Sequence, residues 1–239
     1  MTGDGLESDL TDGVLTLRLT RPDRLNALTA PLLDELTDTV RTAGGSARAI
    51  LLTGTGRGFC SGVDLRYAAK HAGTDLLRDH FHPAVLSFVD AGIPIVTAIN
   101  GVTAGAGLAF ALLGDVRVSS DTARFVPAFA KLGLVPDAGT THFARLRMGT
   151  GGALRFLLAP GEYDAESARA HGLVDDIVPN GSELAYAQTI AEGFARQPQR
   201  STRRTVELVR GPTFRAELVD ALEREASAQS ELTGTARAD

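Results

Sequence analysis

Apolar and polar positions alternate over residues 14–20, with Leu15, Leu17 and Leu19 on one face. That spacing predicts a half-buried strand. Arg21, Pro22 and Asp23 break the alternation. A helical stripe follows: Leu32, Leu33, Leu36 and Val40 share one side. Thr29 stands where a cap belongs, and Pro31 fits the first turn. Gly44 and Gly45 end this helix. Residues 49–53 and 93–99 are short apolar runs, the kind of strand buried on both faces. Residues 65–90 read as helix in pieces. The pattern gives a helix over 108–113, a strand over 116–119, helices over 153–158 and 165–170, and a strand over 173–178. From Ser182 onward it is helical in three pieces, broken at Gln197-Pro198 and Gly211-Pro212. Alternating β and α elements to about residue 180 predict an α/β core. The expected division is a core over 1–195 and a helical, oligomer-forming region over 196–239.

Composition narrows the function classes. Apolar residues make up 44% and charged residues 22% of the 239, as in a globular soluble protein. A net charge of −5 lacks the basic footprint of a nucleic-acid binder. No apolar run approaches the ~20 residues of a membrane span. Residues 1–12 are polar and acidic, without the apolar core of a signal peptide. The single cysteine, Cys60, excludes an internal disulfide framework and fits a reducing cytoplasm. The five histidines show no ligand spacing, so no metal site is expected. Trp is absent, which argues against aromatic stacking as a binding strategy.

Two glycine-rich turns carry the candidate chemistry. One spans residues 56–65 and follows the first apolar run; the other spans 100–107 and follows the second. Each reads as strand, tight turn, helix start. Such turns can aim backbone N–H groups at a developing negative charge. Gly62, Gly105 and Gly107 remove the Cβ atoms that would block close approach. The candidate donors are the amides of Val63 and Ala106. Either turn alone is also an ordinary packing device. The second does not fit G-x-G-x-x-G, and neither ends in the Gly-Lys-Ser/Thr of a phosphate loop.

Five segments in register resemble the enoyl-CoA hydratase/isomerase superfamily, the crotonases. They are residues 21–28, 58–65, 98–107, 132–140 and 165–174. The resemblance implies a spiral of ββα units with a C-terminal helical trimerisation region. It implies an acyl-CoA thioester as substrate, so that coenzyme A is part of the substrate and no separate cofactor is expected. It implies a homotrimer or a dimer of trimers. Carried over to this chain, the oxyanion-hole amides are those of Val63 and Ala106. Arg24, Leu25, Ala27, Asp64 and Leu65 line the nucleotide end of the site. Gly105 and Phe129 complete the expected substrate contacts.

Departures from the family pattern are equally informative. The two glutamates that hydratases of this family place around one water fall at Ala109 and Phe129. Water addition needs groups that activate water and handle the α-carbon proton, and neither residue does either. One acid remains at a family catalytic position, Asp137. A single base suffices for a 1,3-proton shift, so an acyl-CoA double-bond isomerase is the leading expectation. A hydratase-like or thioester-hydrolysing enzyme and a non-catalytic acyl-CoA binder are the alternatives. Phe129, Phe125 or Phe143 can supply an apolar wall that raises the Asp137 pKa. Asp137 can also serve as a helix cap. His80 and His82 fall in a segment that can reach the acyl pocket. The family's usual C-terminal segment, which helps to clamp CoA, does not follow residue 239.

Overall fold

A computed structural model describes residues 5–71, 75–158 and 161–235. Strands β1 (Leu6–Thr11) and β2 (Val14–Leu19) form an antiparallel hairpin with Leu6 opposite Leu19. Its loop, Asp12-Gly13, is left-handed at both positions, φ 51° and 82°, as a two-residue hairpin turn requires. β1 lies in the polar stretch that gave no strand pattern, because only Leu6 of its six residues is buried. A short 3-10 turn (Pro22–Arg24) leads to α1 (Ala30–Ala43), which buries the predicted Leu32, Leu33, Leu36 and Val40. Thr29 occupies the cap position but its side chain makes no capping bond; its carbonyl accepts from Leu33 N–H at 3.0 Å.

The centre of the chain is a spiral. β3 (Ala49–Gly54), β4 (Gly58–Cys60) and α2 (Leu65–Lys70) form one unit. A π-helical turn (Leu77–Phe81) and α3 (His82–Asp90) lead to the next: β5 (Ile95–Ile99), β6 (Val102–Ala104) and α4 (Gly107–Leu112). The third is β7 (Val116–Ser120), β8 (Arg124–Val126) and α5 (Thr140–Leu158), the helix kinked at Gly149. Each unit leaves one strand in each of two sheets. The larger sheet runs β1-β2-β3-β5-β7-β10 and the smaller β4-β6-β8-β9, where β9 is Tyr163–Asp164 and β10 is Asp176–Val178. The pairs β2–β3, β3–β5, β5–β7 and β7–β10 are all parallel.

Alternation within the apolar runs explains their length. Ile50 and Leu52 face the main core, while Ala49 and Leu51 face the opposite side of the larger sheet. There α7 (Glu183–Ala195) lays down Ala187, Ala191 and Ala195, small enough for close helix–sheet contact. α6 (Ala165–Ala170) precedes β10. α8 (Gln199–Arg210) buries no residue, and Arg210 pairs with Asp115 at 2.8 Å. α9 (Phe214–Thr235) then turns back and packs against α5 and α3. Among the described residues no helix is long and apolar enough to cross a membrane.

Candidate active site

The glycine turns differ from their predicted layout in one respect: each contains a short strand. β4 and β6 pair in parallel, Gly58 opposite Val102 and Cys60 opposite Thr103, and so hold the turns side by side. Asn100 ties them further. Its side-chain amide donates to the carbonyls of Gly56 and Gly58, and its oxygen accepts from Gly54 N–H. The glycines mark backbone-on-backbone contacts. A Cβ on Gly107 would lie 2.2 Å from the Cys60 carbonyl oxygen. A Cβ on Gly62, which has φ +87°, would lie 2.9 Å from the Ala106 nitrogen. The two candidate amides are thereby brought to the same place.

Among the described residues neither amide donates a hydrogen bond. Leu28 and Val63 form a parallel bridge in which Leu28 N–H donates to Gly62 O and Asp64 N–H donates to Leu28 O. The N–H of Val63 itself points the other way, as parallel pairing dictates. Ala106 caps α4 with φ −57°, a conformation that tolerates its Cβ, and its N–H precedes the helical hydrogen bonds. Val63 and Ala106 line a cleft of about 360 Å³, together with Gly105.

Of the expected nucleotide-end residues, Arg24, Ala27, Asp64 and Leu65 line this cleft; Leu25 does not. Leu25 and Asn26 are left-handed, φ 49° and 55°, and that bend turns Leu25 onto Gly58 instead. Asn26 is fully buried and holds the bend: its amide nitrogen donates to Thr55 O and Gly58 O, and its oxygen accepts from Arg21 N–H. Arg21 bonds the Ala27 carbonyl and pairs with Asp64 at 2.9 Å. Asp64 also accepts from the Arg66 and Tyr67 amides, capping α2. Burial works against its charge, but these partners win and hold its carboxyl below the usual range. Its oxygens are occupied by structure. Cys60 is buried, which pushes its thiol up to about 12 and leaves it inert.

The remaining wall comes from the loop between β8 and α5, with Ala128, Phe129, Leu132, Leu134 and Asp137 in the cleft. Of the proposed apolar wall only Phe129 reaches the cleft; Phe125 and Phe143 are buried in the core behind it. Ala109 is fully buried in α4. Asp137 is 8% exposed, and its Oδ1 has no hydrogen-bond partner among the described residues. Its side chain is not a helix cap; only its carbonyl takes part, accepting from Thr140 N–H at 2.9 Å. Burial, and next the charge of Glu225, push its pKa up to about 7. The loop is fixed in an unusual shape, with Ala138 at φ 56° and Gly139 at φ 87°.

His80 and His82 do not line the cleft. His80 bonds Asp34 at 2.7 Å, and His82 sits near Glu223 and Arg78, where burial lowers its pKa first of all. Sequence reasoning missed two residues of α9. Gln229 lines the cleft and accepts from Val135 N–H at 3.1 Å. Glu225 is buried and accepts from the amides of Gly139 and Thr141 at 2.6 and 2.8 Å. A signal was present. Leu218, Leu222 and Glu225 follow helical spacing beside Ala221, so an acid falls on an otherwise apolar stripe.

Known proteins match this geometry. The family model for enoyl-CoA hydratase/isomerase matches residues 9–238. A protein named "Probable enoyl-CoA hydratase" from Rhodobacter capsulatus is 37% identical over 193 residues, 80% of this chain and 75% of that protein. The "1,2-epoxyphenylacetyl-CoA isomerase" of Escherichia coli is 35% identical over 200 residues, 80% of this chain and 76% of that one. The crystal structure of an enoyl-CoA hydratase from Mycobacterium avium subsp. paratuberculosis superposes with a TM-score of 0.88 at 29% identity, over 98% of this chain and 95% of that chain. The chain, a crotonase-fold α/β protein, belongs to the enoyl-CoA hydratase/isomerase family.

Proposed function

We propose that the protein is an acyl-CoA double-bond isomerase. The observation that carries this reading is a buried carboxylate, Asp137, whose Oδ1 has no partner among the described residues, in the same cleft as the Val63 and Ala106 amides. Asp64, the other acid lining the cleft, is consumed by Arg21 and two backbone amides. The thioester carbonyl sits against the N–H groups of Val63 and Ala106. Asp137 takes a proton from C2 of a 3-enoyl group, the amides hold the enolate oxygen, and the same carboxyl returns the proton at C4. Each oxyanion donor is worth about 3 kcal/mol of transition-state stabilisation. A carboxyl with a pKa near neutrality suits both halves of such a transfer. Arg24 and Leu65 contact the CoA moiety, and Phe129 shields the reacting carbons from water.

Turnover of a 3-enoyl-CoA by wild type and Asp137→Asn tests the reading. Loss of at least about a hundredfold in kcat is expected; an unchanged rate in the variant would sink it. Hydratase activity is the second reading, favoured by the names of several relatives. It is opposed by apolar side chains at Ala109 and Phe129, and hydration of a 2-enoyl-CoA at a rate comparable to isomerisation would reverse the order. The assembly we propose is a homotrimer or a dimer of trimers in the cytoplasm. Exposed Leu208 and Val209 on α8 support self-association.

A further inference from the structure

One face of α9 grips the loop that carries Asp137 on both sides. Gln229 accepts from Val135 N–H, two residues before it, and Glu225 accepts from Gly139 and Thr141 N–H, two and four residues after it. Glu225 and Gln229 are one helical turn apart, so a single stripe of α9 sets the loop. The hydroxyl of Thr141 also donates to Glu225. Glu225 therefore caps the start of α5 from a helix 86 positions away in sequence, the role that Asp137 was free to take and does not.

We propose that Glu225 is a positioning residue of the active site: it acts through Asp137, holding the base's loop and placing a second carboxylate beside the base. The two carboxyls stand in unequal surroundings. Burial pushes Glu225 up to about 7, and its three donors work against that by favouring the ionised form; Asp137 Oδ1 has none among the described residues. Glu225 ionises first, and its charge then keeps the proton on Asp137 to higher pH. Arg224 adds to the donors in favouring ionised Glu225, and most other charged groups around the pair have partners of their own. Arg224, its neighbour on α9, pairs with Asp220. Glu223 pairs with Arg78 of the π-helical turn, beside His82 and Asp75. On α5, Arg145 faces Glu217 and His142 lies against Phe214. Lys131 is exposed, and Arg24, Arg66 and the Arg21–Asp64 pair belong to the cleft's other side of the sequence, around the first glycine turn.

The inference rests on Asp137 as the proton carrier, and a titration separates it from turnover. Protein labelled with 13C at aspartate carboxyls, with Asp137 assigned by Asp137→Asn, is followed by NMR across pH. The Gly139 and Thr141 amides bond different oxygens of Glu225, so Glu225→Gln keeps an acceptor for one of them and removes the charge. In the folded variant the Asp137 inflection is expected to fall by about one pH unit. The kcat/KM profile for a 3-enoyl-CoA is expected to rise several-fold at pH 6 relative to its plateau, a change that lost packing alone does not produce. An unmoved Asp137 inflection overturns the proposal. Should Glu225→Gln fail to fold, the wild type decides: its Asp137 signal must titrate in two steps, and a single step overturns the proposal. Inactive wild type would count against the isomerase reading and leave the titration result standing.

Discussion

Asp137 carries two opposed effects. Burial favours its protonated form in the fold, so its pKa lies near 7 against about 3.9 unfolded. The stability it contributes is complete below pH 4 and is lost as pH rises through about 7. Replacement by Asn removes that loss. Asp137→Asn is therefore expected to be more stable than wild type at pH 8, by up to roughly 4 kcal/mol, and equal to it at pH 4. Thermal unfolding at both pH values checks this. On the proposed role of Asp137 as a base, activity should show the mirror image: kcat/KM is expected to fall below about pH 7 in wild type, checked by a pH–rate profile. Gly62 is the other decisive residue. Gly62→Ala forces φ +87° on an L side chain and drives a methyl to 2.9 Å from the Ala106 nitrogen. Separating the two amides in this way should lower kcat by about a hundredfold or more, with a smaller effect on KM, in a steady-state assay.

Among the elements, those with a strong period or a hard break were legible. α1 shows its stripe, and α7, α8 and α9 are separated where Pro198 and Gly211-Pro212 stand. The short strands β4, β6 and β8 were not legible, since three residues hold no period and two of the strands lie inside glycine turns. β1 is a hairpin edge whose outward face erases the alternation, although Asp12-Gly13 marks its turn. Val63 and Ala106 could be picked out by the glycines beside them and Asp137 by the family resemblance, and the three line one cleft. That the Leu25 side chain lies against Gly58 rather than in the cleft was not legible, because two successive left-handed residues have no local signature beyond Asn26. Glu225 was missed because its partners are amides far along the chain. Its structural share is measurable: Glu225→Ala leaves the Gly139 and Thr141 amides without their acceptor and should cost about 2–3 kcal/mol in urea unfolding, more than Glu225→Gln, which keeps one of the two bonds.

Across the whole molecule, the larger sheet is buried on both faces, by the core on one side and the alanine stripe of α7 on the other. Ala187 and Ala191 are fully buried in that contact. Ala191→Leu should destabilise by about 1–3 kcal/mol with little change in kcat, since α7 does not reach the cleft. α8 leaves Leu208 and Val209 75% and 81% exposed. Sedimentation of the wild type should give three or six times 25.1 kDa, and charged replacements at both positions should shift it toward the monomer.

The grip of α9 on the Asp137 loop also sets an order of assembly. The spiral of ββα units is built from neighbours in sequence and can form as the chain emerges. The base's loop cannot: its two amides wait for a carboxylate made 86 residues after Gly139. A nascent chain can thus hold the Val63 and Ala106 turns in place while the Asp137 loop is still unfixed, so that the proposed site is completed by the late, separate event of α9 docking.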